Sequence, residues 1–256
     1  MNNYHTHTTY CDGKDTPIEL AEAAVSLGCS ALGISGHGFT PFDTSYCMSV
    51  EGTEAYVREL TELKRRYAEV LDIRIGLERD YYGAEDGYEW DYTIGSVHYV
   101  KKDGEYLPVD ENETMFRAAA DRCFGGDVYA FIEAYYRCVG DIYEKTKCRI
   151  VGHFDLITKF NEGGKYFDES HPRYQAAAGE ALERLRGKPV LFEVNTGAMA
   201  RGYRTAPYPA PAIREKILAM GGRMILSSDC HDKKDLLFGL RELAETPELS
   251  AAECGL

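Results

Sequence analysis

The chain has 256 residues, a length that one α/β barrel commonly fills, and its 44% hydrophobic and 28% charged content suits a globular protein with a sizeable core. A formal net charge of -13 opposes tight binding to the phosphate backbone of long nucleic acids, although a local basic pocket could still hold one small phosphate. No apolar run is long enough to span a bilayer, so no membrane partner is expected. Eight cysteines, none in a C-x-x-C pair and with no secretory segment before them, read as reduced thiols of a cytoplasmic protein.

In chain order, residues 1–7 make a short strand candidate of weak propensity. Thr16-Pro17-Ile18-Glu19 combines a capping box with proline at the first helical position. It predicts a helix with Leu20, Ala23, Ala24 and Leu27 on one face and Gly28 at its end. Residues 31–35 are a compact apolar strand, and 53–69 carry Tyr56, Val57, Leu60, Leu63 and Tyr67 at helical spacing. Buried strands follow at 73–77 and 92–97. The stretch 99–126 reads as irregular at first, with a loop at 101–104, and helical later; the sequence leaves open whether 103–126 closes over a substrate. Residues 131–147 predict a helix, 149–152 a short strand, and 174–186 a helix ended by Gly187-Lys188-Pro189. A strand at 190–194, a helix at 210–220 ended by Gly221-Gly222, a strand at 224–227 and a helix at 236–244 complete the chain. No repeat or composition shift marks a boundary, so residues 1–256 are expected to form one domain. About seven strands alternating with helices predict an α/β barrel or a doubly wound sheet. Both place functional residues just past the C-terminal ends of the strands.

Nearly every conspicuous polar residue falls at such an end. His5 and His7 close the first strand, His37 follows the second, Glu78 the third, His98 the fourth and His153 the fifth; Asp229 and His231 follow the last. Of the seven histidines only His171 lies outside the set, in a loop before Pro172, where a solvated surface position is expected. Residues i and i+2 point to the same side of a strand, so His5 and His7 can meet one ion, and Asp229 and His231 share that spacing. In a barrel these ends converge on one mouth. Without cations, six imidazoles would compete for scarce acceptors and the carboxylates would repel one another. Mixed nitrogen and oxygen donors suit zinc, manganese or iron, and this many exceed the needs of one tetrahedral ion. Two or three divalent ions are therefore expected, with a carboxylate such as Glu78 bridging a pair. No serine or cysteine motif supplies a protein nucleophile.

His5-Thr6-His7-Thr8 with Asp12-Gly13, then Gly36-His37, Gly76-Leu77-Glu78, Gly95-Ser96-Val97-His98, Gly152-His153-Phe154-Asp155 and Ser228-Asp229-Cys230-His231 resemble the motifs of the PHP (polymerase and histidinol phosphatase) superfamily. Length, Glu193-Val194-Asn195-Thr196 and the aromatic-rich insert after His98 are most similar to its histidinol-phosphatase branch. The resemblance implies a distorted (β/α)7 barrel with a three-metal site at the C-terminal ends of the strands. It places His5, His7, Glu78 and Asp229 on the first ion, Glu78 with His98 and His153 on the second, and Asp12, His37 and His231 on the third. Glu78 and Asp229 would also be the catalytic carboxylates. The implied reaction is hydrolysis of a small-molecule phosphomonoester, L-histidinol phosphate in histidine biosynthesis, by a metal-bridging hydroxide. The alternative is another phosphoesterase of the superfamily, acting on nucleotides, short oligonucleotides or phosphotyrosine. In the family, basic residues of two loops bind the phosphate; here these are Lys159, and Arg201 or Arg204. Tyr46, Tyr99, Tyr203 and Tyr208 could wall an imidazole pocket. The sequence does not indicate an oligomeric state.

Overall fold

The apolar runs Ala31–Ile34 and Leu191–Asn195 are buried at every residue, which requires cover on both faces and suits parallel strands inside a ring of helices. The computed structural model, which describes residues 1–246 and 249, has that arrangement. Its strands are β1 Ala31–Ile34, β2 Asp72–Asp80, β3 Tyr92–Ser96, β4 Tyr99–Lys102, β5 Glu105–Pro108, β6 Ile150–Val151, β7 Leu191–Asn195 and β8 Arg223–Ser227. Its helices are α1 Pro17–Ser26, α2 Val50–Tyr67, α3 Glu113–Cys123, α4 Val128–Thr146, α5 Pro172–Leu185, the short α6 Gly197–Ala200, α7 Pro211–Ala219 and α8 Leu240–Ala244. Six strands form one parallel sheet in the order β1-β2-β3-β6-β7-β8. Among the described residues, no helix is long and apolar enough to cross a membrane.

Residues 3–7 close the sheet into the expected distorted seven-stave barrel. Gly33 and Ser35 donate to the carbonyls of Asn3 and Thr6 at 2.8 and 3.0 Å, and His7 N–H donates to Cys230 O at 2.9 Å. The segment is a pair of isolated bridges, Asn3 to Leu32 and Thr6 to Cys230, instead of a regular strand. Side chains replace the missing ladder: His5 N–H donates to Asn3 Oδ1 and Thr6 N–H to Ser35 Oγ, both at 3.2 Å. Below the mouth, Tyr4, Tyr92, Ile94, Ile150, Leu191 and Ile225 fill the barrel. Tyr92 lies so close across the floor that a Cβ on Gly33 would sit 2.2 Å from its hydroxyl, and one on Gly76 2.4 Å from its ring. Larger apolar clusters pack the helices on the outside of the sheet.

Several sequence expectations change. The strand expected at 73–77 runs on to Asp80, because Glu78, Arg79 and Asp80 pair with Ile94, Gly95 and Ser96 of β3; Glu78 therefore lies inside a strand. The irregular stretch after Tyr99 is an antiparallel hairpin, β4 with β5, turned at Asp103-Gly104 where both residues have positive φ of 50° and 88°, the backbone of a tight hairpin turn. The helix expected at 236–244 is a 3-10 turn at Lys233–Asp235 followed by α8 alone, since Gly239 takes a left-handed φ of 69° between them. His171 is half-buried and caps α5, its Nδ1 accepting from Arg173 N–H at 3.2 Å while its ring stacks on Tyr129.

Asn3, fully buried, ties the closing segment to the far end of the chain. Its Nδ2 donates to Ser228 Oγ at 2.7 Å and Leu236 O at 2.9 Å, and its Oδ1 accepts from Ser228 N–H at 3.2 Å. Asn3→Ala removes the acceptor of the buried Ser228 and His5 N–H groups, while Ser228 Oγ still donates to Leu236 O at 3.0 Å, and each buried group left unpaired costs about 1–3 kcal/mol. Urea unfolding of the metal-free protein should show a loss of roughly 2–4 kcal/mol; an unchanged midpoint would refute this account of barrel closure.

Candidate metal centre

Glu78, held by β2 at the middle of the mouth, is 1% exposed. Its Oε2 lies 3.0 Å from His5 Nε2, 3.4 Å from His7 Nε2 and 3.0 Å from His37 Nδ1. Its Oε1 lies 3.1 Å from His153 Nε2 and 3.5 Å from His98 Nε2, and accepts a hydrogen bond from Ser96 at 2.6 Å. Asp229 Oδ1 is 3.2 Å from His7 Nε2 and 3.7 Å from His5 Nε2. Asp12, in the turn after the first segment, is 3.2 Å from His231 Nε2, 3.7 Å from His37 Nε2 and 3.7 Å from His7 Nδ1. The structure thus brings together all nine residues singled out as ligands. The grouping overlaps more than the sequence suggested, since His37 touches Glu78 with one nitrogen and Asp12 with the other.

The donor set fits divalent cations. His5 Nε2, His7 Nε2 and Glu78 Oε2 are buried and make no hydrogen bond, although they approach one another at contact distance. Buried polar atoms normally have partners. Three groups have ligand atoms within 4.8 Å of one another, namely His5, His7 and Asp229; His37, Glu78 and His98; and His7, Asp12, His37 and His231. Burial disfavours charge on the carboxylates, yet His5 holds Glu78, and Arg201 and His5 hold Asp229, well below the usual range. Both are therefore anionic at neutral pH. Burial takes His37 down to about 3, leaving a neutral imidazole, the form that binds metals. Burial also opposes charge on His98, but Asp80 and Glu78 raise it to about 9. Burial pushes the Cys11 and Cys230 thiols up to about 12, so neither offers a thiolate nucleophile.

The mouth opens into a cavity of about 370 Å³ lined by Glu78, His98, His153, Asp229 and His231, with Lys159, Arg201, Tyr46, Tyr99 and Tyr203 among the remaining walls. Lys159 Nζ donates to the carbonyl and the carboxylate of Asp110 at 2.6 and 3.1 Å. Arg201 donates to Asp229 O at 3.1 Å and Asp229 Oδ2 at 3.2 Å, with His231 Nδ1 also 3.1 Å away. Arg204 lies outside this lining; it donates to Thr158 O at 2.8 Å and pairs with Glu162 at 3.3 Å. Tyr208 is buried behind His153, with ring centres 6.5 Å apart.

Two buried carboxylates contact the centre that sequence reasoning gave no role. Glu193 Oε1 is 2.5 Å from His5 Nδ1, and Asp80 Oδ2 is 3.4 Å from His98 Nδ1 while accepting its backbone N–H at 3.0 Å. A signal existed for each. An acid inside the apolar run Leu191–Asn195 needs buried partners, and Asp80 shares a strand face with Glu78.

A family model of the PHP domain matches residues 3–197. Over 248 residues the chain is 29% identical to a probable histidinol-phosphatase of Deinococcus radiodurans, covering 91% of this chain and 87% of that one. It is 26% identical to the histidinol-phosphatase of Bacillus subtilis, covering 94% and 97%. The fold superposes on a crystal structure from Listeria monocytogenes with a TM-score of 0.80 at 21% identity, covering 94% and 99%. It also superposes on the Lactococcus lactis histidinol phosphate phosphatase crystallised with zinc, L-histidinol and phosphate, with a TM-score of 0.65 at 19% identity, covering 91% and 86%. The matched residues run from the closing segment through β7 and include seven of the nine candidate ligands, all but Asp229 and His231, and on that match the chain belongs to the PHP domain family.

Proposed function

We propose that this chain is a histidinol-phosphatase that hydrolyses L-histidinol phosphate to L-histidinol and phosphate, a step of histidine biosynthesis, with two or three divalent cations. The observation that carries the reading is Glu78, a buried carboxylate with five imidazoles within 3.5 Å of its two oxygens. Relatives matching nearly the full chain bear that enzyme's name, and a protein of the same fold was crystallised with zinc, L-histidinol and phosphate. In this reading His5, His7, Glu78 and Asp229 hold one ion, Glu78, His98 and His153 a second, and Asp12, His37 and His231 a third. Zinc, manganese and iron all suit these donors. When bound, the cations polarise the phosphoryl oxygens and lower the pKa of water at the site.

The chain's own groups complete the pocket. Arg201 is fixed against Asp229 and His231, so its guanidinium meets a phosphate beside the metal ligands. Lys159 is anchored on Asp110 by two contacts, which leaves one of its three N–H donors for a phosphate oxygen. Tyr46, Tyr99 and Tyr203 give flat walls for an imidazole. A single domain and a cytoplasmic location belong to the same proposal; all seven described cysteines are free, which suits a reducing compartment. The acidic net charge disfavours long nucleic acids as substrates.

With Zn²⁺ or Mn²⁺ present, kcat/KM for L-histidinol phosphate should exceed that for p-nitrophenyl phosphate and mononucleotides by at least about 100-fold, read as phosphate release. Equal values across the panel would remove the substrate assignment while leaving a phosphatase. Chelation should abolish turnover, and Asp229→Asn should lower it roughly 100-fold or more; unchanged turnover in that variant would rule out the proposed centre. Lys159→Met and Arg201→Gln should each reduce kcat/KM by roughly 100–1,000-fold. Arg204→Gln should leave kcat/KM nearly unchanged and lower the Tm, because that guanidinium serves Thr158 and Glu162. An equal kinetic loss in all three would contradict the division.

A further inference from the structure

Glu193 sits in the middle of β7, 1% exposed and outside the proposed ligand set. A carboxylate buried in a strand must be surrounded by donors, and here they come from four segments. Its Oε1 faces His5 Nδ1 at 2.5 Å and accepts the Ser227 hydroxyl at the end of β8. Its Oε2 accepts His153 N–H at 2.7 Å and Asn195 Nδ2–H at 3.0 Å. A carboxylate offers about four lone-pair positions, so all of them are used. The Asn195 amide cannot turn round, because its oxygen already accepts Gly197 N–H at 2.8 Å.

We infer that Glu193 is a positioning residue of the metal centre, which keeps the His5 proton on Nδ1 so that the bare Nε2 faces Glu78 and Asp229, and which fixes the strand end carrying His153. The inference rests on the ligand roles proposed above for His5 and His153. A metal-binding histidine commonly donates its second ring N–H to a carboxylate, and that partner sets the tautomer. Replacement by glutamine keeps the size and removes the symmetry. Two fixed donors, His153 N–H and the Asn195 amide, claim the glutamine oxygen, so its NH₂ turns toward His5. The Ser227 hydroxyl can rotate and accept from that NH₂. His5 can accept only by moving its proton to Nε2, the nitrogen needed by the cation.

The test is zinc binding by Glu193→Gln, measured by chelator competition and metal stoichiometry, with circular dichroism to confirm folding. Affinity should fall roughly 10–100-fold, and ¹⁵N-histidine NMR of the zinc-loaded proteins should show a His5 Nδ1–H in the wild type that is lost in the variant. A folded variant whose zinc affinity stays within about twofold of the wild type, well short of that loss, would overturn the inference. If the variant does not fold, the wild-type spectrum decides alone: a His5 proton on Nε2 in the zinc-loaded protein overturns the inference, and one on Nδ1 coupled to a carboxylate upholds it. Because the readout is zinc and tautomer, a wild type inactive on L-histidinol phosphate would defeat the proposed function without touching this one.

Discussion

The structure is organised around one buried carboxylate. Taking a carboxylate out of water carries an effective penalty of several kcal/mol, and Glu78 is buried at the base of the cavity. The surrounding chain answers with five imidazoles and the Ser96 hydroxyl. Those groups converge because parallel strands bring their C-terminal ends to one rim. Pairing of Glu78 with Ile94, and the bridge from His37 to Glu78, set the register that places His98 and His37 on either side. The polar centre lies at one end of the barrel, while Tyr4, Tyr92 and their apolar neighbours seal the other.

Barrel closure and assembly of the centre are the same event. Residues 3–7 bridge β1 to the residues just past β8, and two of those five residues are His5 and His7. A regular strand would direct its backbone groups into the neighbouring ladders along its whole length. Here Asn3 and Ser35 side chains take over some of that bonding, which frees the segment to turn both imidazoles inward. Cations that bind only the closed form stabilise it by mass action, so metal affinity and fold stability are linked through this short segment.

The periodic parts of the fold were legible in the sequence, and so was the convergence of the histidines and carboxylates on one mouth. Thr16, Pro17 and Glu19 form the capping box that the residues announced. His37, His98, His153 and His231 were visible because each follows a strand-like apolar run, and His5 and His7 because of their i, i+2 spacing, both local signals. The hairpin after Tyr99 was missed although Asp103-Gly104 is a known turn pair, because its flanks, Lys101-Lys102 and Glu105, look polar; they are exposed on one edge. For Glu193 and Asp80 the sequence signals burial and a shared strand face, but their partners depend on which histidine nitrogen they face, and that is set by long-range packing. Arg201 and Arg204 could not be given separate partners from sequence for the same reason. Three residues apart, they point to Asp229 and to Thr158 respectively.

That last distinction traces to backbone geometry around Asp229. Asp229 takes a left-handed φ of 48°, an arrangement that costs a non-glycine residue about 1–3 kcal/mol. Such strain persists only where the surroundings over-determine it. Asp229 is held by His5 and His7 on one side and by Arg201 on the other. Arg201 can reach it because Gly197 opens the short α6: a Cβ there would lie 2.8 Å from Asp229 Oδ2 and 2.9 Å from the Arg201 guanidinium. The same carboxylate is therefore shared by the proposed metal ligands and the proposed phosphate-binding arginine. In that proposal a shift of α6 disturbs both sites together, because Gly197 and Arg201 pack directly on the Asp229 carboxylate.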